Sequence, residues 1–213
     1  VTAAGIVDTN STWGHVPWFK ACKDAGIQPL LGVDLVVADD DLTQRMWFLA
    51  RNQAGLSEMY RFASKAHQQP LATKTGSIPR LYRNDVRNMS NDVMIFAGDV
   101  VDEAFLKEVG AILDINPASR ILNTRKKSIA EKTGLLLVET SDNAYPRIED
   151  KETFEFATRA GLKQTAQHII DIERTITLET IAHECSTLTL PTAPMIRAEG
   201  DLEAICRAGI KSR

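Results

Sequence analysis

The chain has 213 residues, 44% of them hydrophobic, which is enough for one good core with a small appendage. A net charge of -3 argues against a broad phosphate-neutralising face, and three cysteines (Cys22, Cys185, Cys206) without a CxxC pair argue against a disulfide framework or a cysteine zinc site. No apolar run reaches the roughly 18 residues of a membrane span, and the first residues lack the pattern of a signal peptide, so a cytoplasmic chain with no membrane role is expected.

Short apolar runs alternate with amphipathic stretches, as strands alternate with helices around a parallel sheet. The predicted strands are Ala4 to Val7, Leu30 to Val37, Met46 to Ala50, Val93 to Ala97, Ala111 to Ile115 and Leu135 to Thr140. Helices are predicted at Val16 to Ala25, Leu56 to Ala66, Asp102 to Val109 and Ala118 to Lys132. Gly26, Gly110 and Gly134 each fall between a helix and a strand, where a left-handed C-cap costs glycine no steric penalty. Gln68 to Ser77 reads as a surface loop. Further helices are predicted at Phe154 to Ala160, Leu178 to Glu184 and from Asp201, with a proline-bearing linker at Leu190 to Met195. The fold class is α/β.

In such sheets, functional groups gather at the carboxyl ends of the strands. Asp8, Asp99 and Asp142 each follow a predicted strand, while Asp34 interrupts an apolar one. Clustered, these four carboxylates would suit hard cations such as Mg or Mn. Taken singly, an Asp after a strand is more often a cap or turn former, most clearly for Asp99, with Asp102 and Glu103 continuing an acidic first helical turn. Asp34 resists that account. A carboxylate inside Leu30 to Val37 has to be paired or ligated, so it is expected to face a polar barrel mouth.

The histidines count against a working hydrolase. His15, His67, His168 and His183 sit in helical or pre-helical stretches and read as solvated helix-face residues, and none follows a strand. Motifs of the HxH, HExxH, GxSxG, Walker A and GxGxxG types are absent. Cys22 reads as core packing and Cys185 and Cys206 as equally inert, while Arg125, Lys126 and Lys127 read as charge near a helix C-terminus.

Several segments together resemble one family. DTNSTWGHVPWFKACKDAGIQPLLGVDLVV places Asp8, Gly14, Phe19, Lys20, Ala25, Gly26, Pro29 and Gly32 in register with the polymerase and histidinol phosphatase (PHP) domain of the bacterial DNA polymerase III alpha subunit. MWFLARNQAGLSEMYRFASKAH, VMIFAGDV, LLLVETSDNAYPRIED and TLETIAHECS continue the resemblance in order over nearly the whole chain, and LEAICRAGIKSR resembles the run into the polymerase palm. The resemblance implies a seven-stranded β/α barrel, here without its first strand and that strand's His-x-His pair, as a truncated piece would be. It also implies a PHP-like barrel with C-terminal helices over residues 1–189, then a linker and the start of the palm-leading segment over 190–213.

The departures from the family pattern matter most. Metal-binding members carry His where this chain has Thr9, Arg45 and Ala144, and Cys where it has Asp99. Asp8, Asp34 (for a usual Glu) and Asp142 remain. Arg45, an obligate cation, should repel a metal or satisfy the surviving carboxylates by ion pairing.

The expectation is therefore a PHP domain without a catalytic residue, its metal site degenerate, with no tightly held metal and at most weak Mg or Mn. Its partners would be the rest of the polymerase and a proofreading exonuclease or other replisome subunit, with DNA met only through the parent polymerase, a nucleotidyltransferase. The rival is a metal-dependent phosphoesterase or 3′–5′ proofreading nuclease using Asp8, Asp34, Asp99 and Asp142.

Overall fold

The computed structural model describes residues 2–39, 43–74, 76–98, 102–115, 120–139, 175–176 and 178–190. In chain order these form β1 (Ala3–Thr9), α1 (His15–Asp24), β2 (Gln28–Ala38), β3 (Thr43–Ala50), α2 (Gln53–Gln68), β4 (Leu71–Thr73), β5 (Gly76–Ile78) and β6 (Arg80–Leu81). There follow α3 (Arg83–Arg87), β7 (Val93–Ala97), α4 (Glu103–Glu108), β8 (Ile112–Ile115), α5 (Arg120–Thr133), β9 (Leu137–Glu139), β10 (Thr175–Ile176) and α6 (Leu178–Glu184). The fold is mixed α/β, and its main sheet curls into a half-barrel of order β1-β2-β3-β7-β8-β9-β10, with β6 on β2.

All six predicted strands and the four predicted helices of the N-terminal two-thirds are present. Gly26, Gly110 and Gly134 have φ of 67°, 61° and 77°, the left-handed conformation expected at the ends of α1, α4 and α5. One strand departs from the parallel expectation. β3 runs antiparallel to both β2 and β7, because only residues 39–42 separate it from β2 and a parallel crossover needs a dozen or more residues. The predicted loop Gln68 to Ser77 contains the small antiparallel pair β4–β5 instead. The predicted helices at Phe154 to Ala160 and beyond Asp201, and the linker at Leu190 to Met195 apart from Leu190 itself, lie outside the described residues.

Strand alternation gives the sheet two buried faces. Leu31, Val33, Leu35 and Val37 of β2 point outward with Met46, Phe48, Ile95 and Leu113, beneath Leu56, Met59 and Ala66 of α2. The apolar positions of α2 recur at helical spacing, and its start is capped by Asn52, whose side chain accepts from Gly55 N–H at 3.0 Å. Leu30, Leu49, Met94, Phe96 and Ile112 point inward, where Ile181 and Ala182 of α6 and the following Cys185 pack on them. The strap after α6 is tied down by Gln28 Nε2 to the Cys185 carbonyl at 2.9 Å and Ser186 N–H to the Arg51 carbonyl at 2.7 Å. These ties lie at the amino ends of β2 and β7. The polar groups of the concave face collect at the carboxyl end.

Candidate functional site

The mouth is built on the inward parity of β1, β2, β3 and β8. Thr9 pairs with Asp34 in the β1–β2 register, and Arg45 stands opposite Val36, one inward position beyond Asp34. That diagonal is within reach of a long side chain. Arg45 Nε donates to Asp34 Oδ2 at 3.0 Å and Oδ1 at 3.2 Å, and its Nη2 also donates to Oδ2. Thr9 Oγ1 completes the set with a weak bond to Asp34 Oδ2 at 3.4 Å. Below this pair, Trp47 stacks on Phe96 with centroids 3.7 Å apart, giving the polar mouth an aromatic floor.

Burial pushes the Asp34 carboxyl above its usual range, against the pull of the Arg45 guanidinium and with a smaller upward push from Asp114. That last influence identifies a residue missed in the sequence. Asp114 lies on β8 at the parity of inward-facing Ile112, and a Cβ on Gly98 would stand 3.9 Å from both Asp114 Oδ1 and the Arg45 carbonyl. Lys126 Nζ reaches Asp114 from α5, donating to its Oδ1 at 2.9 Å and its carbonyl at 2.6 Å. The signal was available: Asp114 interrupts an apolar strand just as Asp34 does.

Lys126 corrects one expectation. It is a buried residue in the middle of α5, not a charge near the helix C-terminus. His15 corrects another. It is 1% exposed, its Nε2 donating to the Gly32 carbonyl at 2.8 Å and its Nδ1 accepting from Tyr60 Oη at 3.0 Å, and burial lowers its pKa. His67 and His183 are exposed, as expected of helix-face histidines, and His168 lies outside the described residues.

Asp8 does not join Asp34. It shares the parity of Ile6 and pairs with outward-facing Val33, and its Oδ2 accepts from Gly14 N–H at 2.6 Å, closing the turn into α1. A strand has a period of two, so Thr9 occupies the mouth and Asp8 the helix side. Asp99, Asp142 and Ala144 lie outside the described residues. The expected acidic helix start is seen at Asp102, which caps α4 by accepting from Phe105 N–H at 3.1 Å.

Comparison with known proteins adds a family. A sequence model of the PHP domain matches residues 1–140. The DNA polymerase III alpha subunit of Staphylococcus aureus strain Mu50 is 27% identical over 103 residues, 48% of this chain and 9% of that protein. The corresponding subunit of Thermus aquaticus is 25% identical over 199 residues, 76% of this chain and 16% of that protein. The chain thus spans at most 16% of the length of either relative. Among solved structures, a Bifidobacterium adolescentis protein described as a metal-dependent phosphoesterase superposes with a TM-score of 0.47 at 13% identity, over 65% of this chain and 76% of that one. An amidohydrolase from Chromobacterium violaceum gives 0.47 at 10% identity, over 66% and 76%.

Proposed function

The chain belongs to the PHP domain family, and on that premise we propose that it is a non-catalytic PHP domain of a DNA polymerase III alpha subunit. It serves replication as a structural and docking module. The observation that supports this reading is the Arg45 guanidinium, with two of its nitrogens on Asp34 at the barrel mouth. Arginine cannot shed its proton in a protein, so a cation entering the mouth would meet a fixed positive charge.

The metals of PHP phosphoesterases do not fit the described donors. Thr9 offers a neutral hydroxyl where an imidazole would bind, Asp34 is engaged by Arg45, and Asp114 is engaged by Lys126. A zinc or manganese centre needs imidazole, thiolate or carboxylate donors free to coordinate. No catalytic step is therefore assigned to this mouth. Polymerisation and contact with DNA belong, on this reading, to the remainder of a cytoplasmic alpha subunit, a nucleotidyltransferase, and the docking partner is a proofreading exonuclease or other replisome subunit.

Elemental analysis of the dialysed chain, coupled to a DNA 3′-end hydrolysis assay with added Mn, tests the proposal. No stoichiometric zinc or manganese and no hydrolysis are expected. Two or more tightly held metals, with activity abolished by Asp34→Asn or Asp142→Asn, would establish the phosphoesterase or 3′–5′ nuclease instead.

A further inference from the structure

β8 starts late along β7. The two strands pair only at Phe96–Ile112 and Ala97–Leu113, so Val93, Met94 and Ile95 at the start of β7 have no strand beside them on that side among the described residues. The chain leading into β8 turns away from them. Gly110, with φ of 61°, ends α4, and the N–H groups of Gly110 and Ala111 return to the Lys107 and Leu106 carbonyls. A cavity of about 660 Å³ occupies the gap, between Ser90 and Asn91 of the α3–β7 connection and Glu108 and Val109 at the end of α4. That is the size of a small-molecule site. Glu58 fixes one wall by accepting from Ser90 N–H at 3.0 Å.

The cavity is lined by polar groups that the fold leaves unused. Arg51 N–H donates to the Asp92 carbonyl at 2.8 Å, which sets the alternation along β7: Met94 and Phe96 bond to β3, while Val93 and Ile95 face the β8 side. Val93 N–H turns back to the Ser90 carbonyl at 3.2 Å, and the Ile95 carbonyl is in register for Ile112 N–H. The Val93 carbonyl and Ile95 N–H are left without a backbone partner among the described residues. Such groups need water or a ligand. Arg51 brings a guanidinium to the same cavity. Its Nη1 donates to Glu184 Oε2, but its Nε is buried with no partner. Arg87 also lines the cavity, its Nε donating to Glu108 Oε1 at 2.9 Å.

We propose that this cavity binds a nucleoside monophosphate. In a parallel ladder, the carbonyl of one residue and the N–H of the second residue after it engage the N–H and carbonyl of a single facing residue. A nucleobase edge offers the same pattern, a donor beside an acceptor, so the base takes the place that β8 leaves open. Adenine fits with its amine donating to the Val93 carbonyl and its N1 accepting from Ile95 N–H. A peptide strand fits less well, because a single bridge is open before Gly110 and Ala111 close the way. The phosphate goes to Arg51, whose Nε and Nη2 form a side-on fork for two oxygens while Nη1 stays on Glu184. Arg87 adds positive charge. The carboxylates paired with the two arginines, Glu184 and Glu108, are half-exposed, so water screens them more than it screens an enclosed phosphate.

Calorimetric titration of the full chain with AMP tests the proposal, with adenosine, ribose 5-phosphate and inorganic phosphate as partial ligands. One AMP per chain is expected, bound at least about tenfold more tightly than any of the three. Arg51→Met, and Asn91→Trp, which fills the cavity from an exposed position, should each weaken AMP at least about tenfold, with circular dichroism melts showing that both variants remain folded. Glu184→Gln loosens the tie between α6 and Arg51 yet removes a competing carboxylate, so it should tighten AMP binding, the reverse of what a purely structural Arg51 would give. In amide NMR spectra the Ile95 N–H should shift with AMP and with adenosine but not with phosphate. No binding at millimolar AMP, phosphate binding as tightly as AMP, affinity unchanged in Arg51→Met and Asn91→Trp, or weaker binding in Glu184→Gln would each overturn the proposal.

Discussion

Lys126 Nζ lies 2.9 Å from Asp114 Oδ1, and the two side chains are only 3% and 13% exposed. An ion pair this deep costs much desolvation, so its net worth is small while the loss of one partner is expensive. Lys126→Met should cost about 3–5 kcal/mol in urea unfolding. Adding Asp114→Asn should recover a substantial part of it. Costs that simply add across the two substitutions would show that the pair is not coupled.

Asp34 yields a pH-dependent prediction. Its carboxyl is raised chiefly by burial, so its contribution to stability is full below the ordinary carboxylate pKa of about 4 and is lost as pH rises through the raised folded value. Arg45 offsets that loss at neutral pH. Arg45→Met leaves Asp34 without its cation and should cost about 1–3 kcal/mol at neutral pH. The deficit should shrink near pH 5, where more of the raised carboxyl is protonated. Guanidinium is unsuitable here because its salt screens the pair, so urea titrations at both pH values are the check. An equal deficit at both would sink the account. Asp34→Asn should be the milder change, since it removes the buried charge and leaves Arg45, whose side chain is 42% exposed, to water.

His15 carries the opposite sign. Burial depresses its pKa, so its contribution is full above the unfolded value of about 6.5 and is lost as pH falls from there through the depressed folded value. The native chain should therefore lose stability between about pH 7.5 and 5.5, and His15→Leu should flatten that slope. Tyr60→Phe removes the hydroxyl that donates to Nδ1 and should cost about 1–3 kcal/mol. A slope unchanged in His15→Leu would place the titration elsewhere.

Gly55 sits in the first turn of α2, where helix propensity alone favours alanine by up to about 1 kcal/mol. Close approach reverses that preference. A Cβ at Gly55 would stand 2.0 Å from the Asp92 carbonyl oxygen, which also accepts from Arg51 N–H at 2.8 Å. Gly55→Ala should thus lower the melting temperature by several degrees, corresponding to an overpacking cost of about 1–3 kcal/mol. A neutral or stabilised variant would mean that the α2 start moves freely away from β7.

What the sequence determined by itself is the local and periodic part. Short apolar runs between amphipathic stretches located the strands and the helices α1 and α2, helical spacing marked α4 and α5, and Gly26, Gly110 and Gly134 marked helix ends because the left-handed conformation is a property of one residue and its neighbours. The pairing of Arg45 with a mouth carboxylate was legible too, because the resemblance placed Arg45 at a ligand position of the family and Asp34, a charge inside an apolar strand, demands a counter-charge. What only the tertiary structure decided is which side chains meet. Thr9 rather than Asp8 faces Asp34 because strand pairing sets the parity, and a shift of one residue would exchange them. Lys126 and His15 are buried because α5 packs against β8 and because Tyr60 reaches across from α2 to α1. Neither contact leaves a trace in local periodicity, because its partners are brought together only when the sheet curls and the helices dock.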